Sequence, residues 1–144
     1  MSKAKDGVRS LVVYNSKILL TLRDNIDSIP QPNCWQIVGG GIEPGEIPEQ
    51  AVARELTEEA GYSPEKFTFI GKYIGSSDQE VYVYLFVVDE TESKKFFHQP
   101  GGEGQEIRFI TPKEALGLKL TTGTRKLIEK NQKYIETGKG KIIL

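Results

Sequence analysis

The stretch Gly40–Tyr62 reads GGIEPGEIPEQAVARELTEEAGY and holds both a helix and a cluster of acids. Pro48 suits a first helical turn, where its missing N–H is not needed. Gly61 suits a C-terminal stop, so the pattern predicts a helix over Pro48–Ala60. On a wheel, Val52, Ala53, Leu56 and Ala60 share the side that faces a core. Glu55, Glu58 and Glu59 stand at i, i+3 and i+4 and so share one flank. That flank lies roughly 100° from the apolar side, at the rim of the core. Like charges at this spacing cost a helix about 0.2–0.5 kcal/mol per pair. A hard divalent cation reverses that cost, and Mg²⁺ takes oxygen ligands while keeping positions open for water and phosphate. Taken alone, such a charge run reads as a solvated face.

The residues before the helix change that weighting. Cys34–Val38 reads as a short strand running into Gly39-Gly40-Gly41, followed by Pro44-Gly45. Glycines let backbone approach a ligand closely and adopt positive φ, so a carbonyl exposed there adds an oxygen donor beside the glutamates. Glu46 and Arg54 are eight residues apart, too far for one helical turn, but a Glu46 in the preceding loop can fold back onto Arg54. As an idle surface pair the two would be worth only ~0–1 kcal/mol.

Working outward, Val8–Tyr14 and Lys17–Arg23 read as strands joined at Asn15-Ser16 in a short hairpin. Asp24–Asn33, with Pro30 and Pro32, is a loop. Lys66–Tyr73 is a further strand. Glu80–Val88 contains VYVYLFVV, apolar throughout, which is the pattern of a strand covered on both faces. Its Tyr82, Tyr84 and Phe86 point one way and Val83, Leu85 and Val87 the other. Thr91–Gly102 reads as a polar loop, Glu106–Ile110 as a last core strand, and Pro112–Leu116 as a short helix capped by Thr111. Thr122–Thr137 is an amphipathic helix with Leu127, Ile128, Tyr134 and Ile135 toward the core. The expected architecture is one α/β domain over residues 1–144, an α/β/α sandwich with a mixed β-sheet between helices.

Composition narrows the chemistry. The chain has 144 residues, enough to bury a core without staples. A formal net charge of −1 gives no bulk attraction for a polyanion, so phosphate chemistry must come from a local site. The same balance disfavours nucleic acid as a partner. Arg125, Lys126, Lys130 and Lys133 form a basic stripe where an RNA end would bind, although a solvated helix face is the simpler reading. One histidine, His98, and one cysteine, Cys34, exclude zinc sites built on several such ligands. Cys34 reads as a small core residue, and the lack of an intrachain disulfide fits a reducing cytoplasm. His98, in a polar loop, is expected in solvent. No apolar run is long enough for a bilayer, and Met1–Asp6 is too polar for a signal peptide. A cytoplasmic location is therefore expected. The apolar tail Lys141–Leu144 suggests an added edge strand or a docking strip for a second chain, a homodimer included.

The spacing of Gly40, Glu46, Arg54, Glu55, Leu56, Glu58, Glu59, Gly61 and Tyr62 resembles the Nudix box, with Tyr62 where an aliphatic residue is commoner. The resemblance implies a MutT-like, metal-dependent hydrolase of nucleotide diphosphate linkages that uses Mg²⁺, with Mn²⁺ as a substitute. It implies that Glu55, Glu58 and Glu59 bind metal with a backbone carbonyl of Gly39 or Gly40, and that Glu46 and Arg54 are an orienting pair. It also implies one more carboxylate from a later loop, as ligand or general base. Glu103, among Gly101, Gly102 and Gly104, is the favoured candidate because a glycine-rich loop can swing onto substrate, and Glu106 is the alternative. Arg23 borders the substrate cleft in that fold and is a candidate for substrate contact, with Gly39 and Gly40. Trp35 is a candidate for stacking a base, against the competing expectation that it is core.

Substrate marks of the family's subclasses are weak here. A proline expected some fifteen residues past the box for ADP-ribose is replaced by Ser77 and Asp78. Tyr82 is misplaced for the dinucleoside polyphosphate mark, and no coenzyme A motif precedes the box. The short chain and Glu103-Gly104-Gln105 lean toward nucleoside triphosphates, oxidised ones such as 8-oxo-dGTP included. ADP-ribose, nucleotide sugars, dinucleoside polyphosphates and RNA 5′ ends are the alternatives. A non-catalytic Nudix-like regulatory module would be expected to have lost a box glutamate, and none is lost.

Overall fold

The structure is a computed structural model that describes residues 4–144. Residues 1–3, half of the N-terminal segment Met1–Asp6 read as too polar for a leader, thus lie outside the described residues. β1 (Gly7–Tyr14) and β2 (Lys17–Leu22) pair only near their turn, Val13 with Ile18 and Tyr14 with Lys17. Asn15 and Ser16 both have positive φ, 48° and 63°, the geometry that matches the twist of a tight hairpin. Beyond that turn the two strands diverge and β3 (Trp35–Gly41) fits between them, antiparallel to both. β4 (Thr68–Ile74) pairs antiparallel with β5 (Glu80–Val87), which runs parallel to β1. The last strand, β6 (Glu106–Ile110), closes the far edge against β2. The six-stranded order is β4-β5-β1-β3-β2-β6, a mixed sheet as expected.

Each face of the sheet buries its own core. α1 (Pro48–Ala60) covers one face with Ala51, Val52, Leu56 and Ala60 packed against Val8, Val38, Tyr84 and Phe86. Ala51, absent from the expected apolar set, is fully buried, while Ala53 is only half-buried and sits at the edge of the stripe. On the other face Leu127, Ile128 and Ile135 meet Leu11, Ile37, Val83 and Leu85, and Tyr134 packs at the margin. β5 thus serves both cores, although Val87 at its end is 67% exposed. The polar segment after it is not all loop: Asp89 caps a short helix, α2 (Glu90–Ser93), by accepting from Glu92 N. α3 (Pro112–Leu116) has its cap at Thr111, whose hydroxyl accepts from Glu114 N at 3.2 Å. α4 (Thr122–Thr137) follows. Among the described residues no helix is long and apolar enough to cross a membrane.

The C-terminal tail departs from expectation. It does not extend the sheet edge: a buried amide in α4 captures it, while Ile143 keeps a 56% exposed side chain. Asn131, 3% exposed, leaves helical geometry (φ −123°, ψ 17°). Its Nδ2 donates to the carbonyls of Leu127 and Ile143, both at 2.8 Å, and its Oδ1 accepts from Ile143 N at 2.6 Å. Ile142 and Leu144 then pack on the core of that face. Asn131→Ala removes the partners of both Ile143 backbone groups, so a stability loss of about 1–3 kcal/mol is expected. Urea titration with amide exchange over residues 141–144 measures this. An unchanged midpoint with the tail still protected would contradict the anchoring role.

Candidate active site

Gly39, Gly40 and Gly41 belong to β3 and pair with Arg9, Val8 and Gly7 of β1, so they are strand and not the expected loop. None of the three has positive φ; that conformation falls instead on Gly45 (83°) in the connection to α1 and on Gly61 (73°) at its C-cap. The strand glycines serve close approach. A Cβ on Gly40 would collide with the Glu55 carboxylate, and one on Gly39 would collide with the Val8 carbonyl and come within 2.9 Å of Arg9 Cδ. The missing side chains let the carboxyl flank of α1 lie directly on β3.

The connection from β3 to α1 is held by one ion-pair hub. Glu46 Oε1 accepts from Glu43 N at 2.9 Å, closing the turn. Arg54 Nε and Nη2 donate to Glu46 at 2.7 and 3.0 Å, the bidentate fit expected of a guanidinium on a carboxylate. Nη2 also donates to Gly41 O at 2.9 Å, and Nη1 reaches Glu55 at 3.0 Å and Glu58 at 3.3 Å. The Arg54 hydrogen bond and then the Glu43 amide hold Glu46 below the ordinary carboxylate range. The Glu46 contact in turn raises Arg54.

The three helix glutamates are placed unequally. Glu59 is 8% exposed and accepts from Gly39 N at 3.2 Å. Burial first, then the adjacent Glu55 charge, pushes its pKa up to about 9, against the pull of the Gly39 N–H. Glu55 is half-buried and also raised, mainly by burial, with Arg54 opposing. Glu58 is turned outward to Arg54.

Glu103 joins this cluster, and Glu106 does not. A cavity of about 410 Å³ is lined by Glu58, Glu59, Gln99, Gly101, Gly102 and Glu103 among its residues. The Glu103 charge adds to the upward push on Glu59, whereas Glu106 pairs with Arg108 at 3.1 Å on β6. The Glu103 loop is tethered at both flanks. His98 Nε2 lies 2.9 Å from Gly104 O and 3.3 Å from Glu103 O, and as an N–H it donates to those carbonyls. Gln99 Nε2 donates to Thr57 O at 3.2 Å, and Gln105 Nε2 to Arg23 O at 2.7 Å. His98 is thus half-buried and a loop anchor, where solvent had been expected. Its partners lie only five and six residues on, within the same loop.

A second, larger cleft of about 690 Å³ opens on the α4 side of the sheet. Arg23 lines it, held by Pro30 O at 3.1 Å and Gln36 Oε1 at 3.3 Å. Arg9, Gln79, Thr122, Lys126 and Lys130 line it too, and none of these had been singled out for small-molecule binding. Trp35, offered as a base-stacking residue, is core instead: it is 7% exposed, packs in the cluster beneath α4, and has Arg108 5.1 Å above its ring. Cys34 is buried as expected.

Among the described residues no three side chains already converge in metal-ligand geometry, because Glu58 is turned to Arg54. The donor set nevertheless fits a hard divalent cation. It is all oxygen, and Glu55 and Glu59 lie within hydrogen-bonding reach of each other, one proton relieving two carboxylates. A divalent cation relieves the same repulsion and more. Since Glu59 ordinarily titrates at 4.5 and in the fold at about 9, its contribution to stability is fully present below about 4.5. That contribution is lost as pH rises through about 9. In chelator, the melting temperature should therefore fall from pH 5 to pH 9, and divalent cation should restore it at the alkaline end. A chelated protein whose melting temperature is flat over that range would contradict the buried-carboxylate picture.

Comparison with known proteins agrees with this geometry. The chain is 33% identical over 106 residues to an 8-oxo-dGTP diphosphatase of Escherichia coli (strain K12), covering 73% of this chain and 78% of that protein. It is 29% identical over 132 residues to a CTP pyrophosphohydrolase of the same organism, covering 88% and 90%. In fold it matches the NUDIX domain of Shewanella oneidensis NrtR complexed with ADP ribose, with a TM-score of 0.75 at 19% identity over 93% of this chain and 90% of that one. With residues 4–130 matching the NUDIX domain as a family, the chain belongs to that family and is a Nudix hydrolase.

Proposed function

We propose that the protein hydrolyses a nucleoside triphosphate, oxidised forms such as 8-oxo-dGTP included, to the monophosphate and pyrophosphate. The observation that carries this reading is the convergence of Glu58, Glu59 and Glu103 on one cavity, with Glu55 buried beside Glu59. Glu55, Glu58, Glu59, Glu103 and the Gly40 carbonyl are the groups that would hold Mg²⁺ or Mn²⁺. When bound, the cation supplies positive charge to the phosphate oxygens and acidifies water. Arg54 and Glu46 hold β3 and α1 in register around these carboxylates. Glu103 or a box glutamate takes the proton of the attacking water. Water adds in line to phosphorus, the bridging P–O bond breaks, and pyrophosphate departs. Arg23, Gly39 and Gly40 contact the bound nucleotide.

The triphosphate preference is supported by the two relatives named for triphosphates, each spanned over most of its length. The test is a panel with Mg²⁺: canonical and oxidised nucleoside triphosphates, ADP-ribose, a nucleotide sugar, a dinucleoside polyphosphate and a 5′-triphosphate RNA. Fastest turnover of a triphosphate to monophosphate and pyrophosphate, abolished by chelator, is the expected result. Preferential cleavage of another member would replace the substrate, and no cleavage of any would overturn the enzyme assignment.

A further inference from the structure

Glu103 is exposed and stands between two glycines with positive φ, Gly101 at 76° and Gly104 at 85°. Packing holds an exposed side chain weakly, and glycine gives the flanking chain its widest freedom. The loop is held through its backbone instead. His98 Nε2 lies 2.9 Å from Gly104 O and 3.3 Å from Glu103 O, so one ring spans the loop and closes it. Both partners are carbonyls that only accept, so Nε2 carries the proton. Gly102 N donates to Gln99 O at 3.0 Å, which turns the chain between His98 and Glu103.

His98 has a fixed base of its own. Phe97 N donates to Ala60 O at 2.9 Å, and Gln99 Nε2 donates to Thr57 O at 3.2 Å. The residues on either side of His98 are thus bonded to the last turn of α1. A Cβ on Gly61 would lie 2.5 Å from Phe97 Cε1, so the C-cap glycine lets the Phe97 ring lie against that end of the helix. The same turn carries Glu58 and Glu59. A short run of contacts leads from α1 through Phe97 and Gln99 to the His98 ring, and from the ring to the backbone of Glu103.

We propose that His98 is a positioning residue for turnover: its ring holds the Glu103 carboxylate at the cavity that Glu58 and Glu59 line. It acts only through Glu103 and touches neither substrate nor cation. The proposal rests on the hydrolase reading for the role of Glu103, and it deepens that reading by naming what fixes the loop.

The test is a double-mutant cycle of His98→Ala with Glu103→Gln, beside His98→Gln, whose amide can place an N–H near the position of Nε2. For the fastest-cleaved nucleotide of the panel above, kcat should fall about 10–100-fold in His98→Ala, the cost of losing a group that orients a metal-site residue. KM should stay within about threefold, since binding of the nucleotide itself is untouched. His98→Gln, with its donor kept, should bring kcat back to within about threefold of the unaltered protein. In the Glu103→Gln background, His98→Ala should cost less than about twofold, because both changes remove the same contribution. Amide exchange needs no turnover. In His98→Ala it should quicken at least about tenfold at Gly102 and Gln105 while α1 keeps its protection. An unchanged kcat, unchanged exchange at both amides, or a kcat loss as large in the Glu103→Gln background would overturn the proposal. Failure of the unaltered protein to cleave any nucleotide of the panel would overturn the hydrolase reading and the role of His98 in turnover with it. The exchange result would then still show whether the ring holds the loop.

Discussion

Glu59→Gln and Glu58→Gln are each expected to lower turnover by about 10²–10³-fold or more, with the fold intact. The two substitutions act on carboxylates in opposite settings, which is why they are informative together. Glu59 is buried against Gly39 and Glu55, and glutamine keeps an acceptor for the Gly39 N–H while removing the charge. The folded protein without metal then gains stability at pH 8, because a group that burial penalises as an anion has become neutral. Glu58 is 59% exposed in its side chain and contacts only Arg54 among the ion pairs. Its replacement leaves melting within about a degree or two, as an exposed pair contributes little. Loss of activity without loss of stability is the mark of carboxylates kept for cation and substrate. Near-normal kcat in both variants, measured with saturating Mg²⁺, would remove the glutamate flank of α1 from the chemistry.

Arg54→Ala has the second-largest effect, and it falls on both stability and turnover. The guanidinium is the sole described cation in contact with Glu46, Glu55 and Glu58, and it also satisfies the Gly41 carbonyl. Removing it leaves Glu46, whose side chain is only 17% exposed, without its bidentate partner, and frees the β3–α1 connection from the helix. Breaking a buried pair from one side costs about 3–5 kcal/mol. The 26% exposure of Arg54 lowers the expectation here to about 2–3 kcal/mol. Turnover should fall at least about a hundredfold, because the carboxylates are no longer held in register with Gly39 and Gly40. Arg54→Lys recovers part of the stability but little of the turnover, since an ammonium cannot make the fork to Glu46 while reaching Gly41. Urea titration and steady-state kinetics on the two variants measure both effects. A loss below 0.5 kcal/mol on the order of ordinary surface changes would show that the hub is an idle surface pair.

Much of this was legible before the structure. Helix α1 was readable to the residue because Pro48 and Gly61 mark its ends by backbone chemistry, and helical spacing put the three glutamates on one flank, though their roles came only from the resemblance to the Nudix box. The Glu46–Arg54 contact was readable from the box, though its reach to Gly41 was not. What failed did so where partners come from far along the chain. Gly39–Gly41 read as loop because glycine is a turn residue, yet β1 passes beside them and makes them strand. The tail read as free because nothing near it in sequence binds it, and Asn131 is a lone polar residue on an otherwise ordinary helix. Lys126 and Lys130 are exposed as read, but a helix wheel cannot show that they also stand on the wall of a cleft. His98 and Trp35 were placed by residue type, and the packing around each reversed one reading of it.

On the proposed function, the α1 carboxylates that lie against β3, together with Glu103, direct water to the diphosphate of a nucleotide. The most direct test is ³¹P NMR of dGTP incubated with the protein and Mg²⁺. The account predicts growth of pyrophosphate and dGMP signals in equal amounts, stopped by chelator and by Glu59→Gln. Unchanged dGTP, or release of orthophosphate with dGDP, would contradict it.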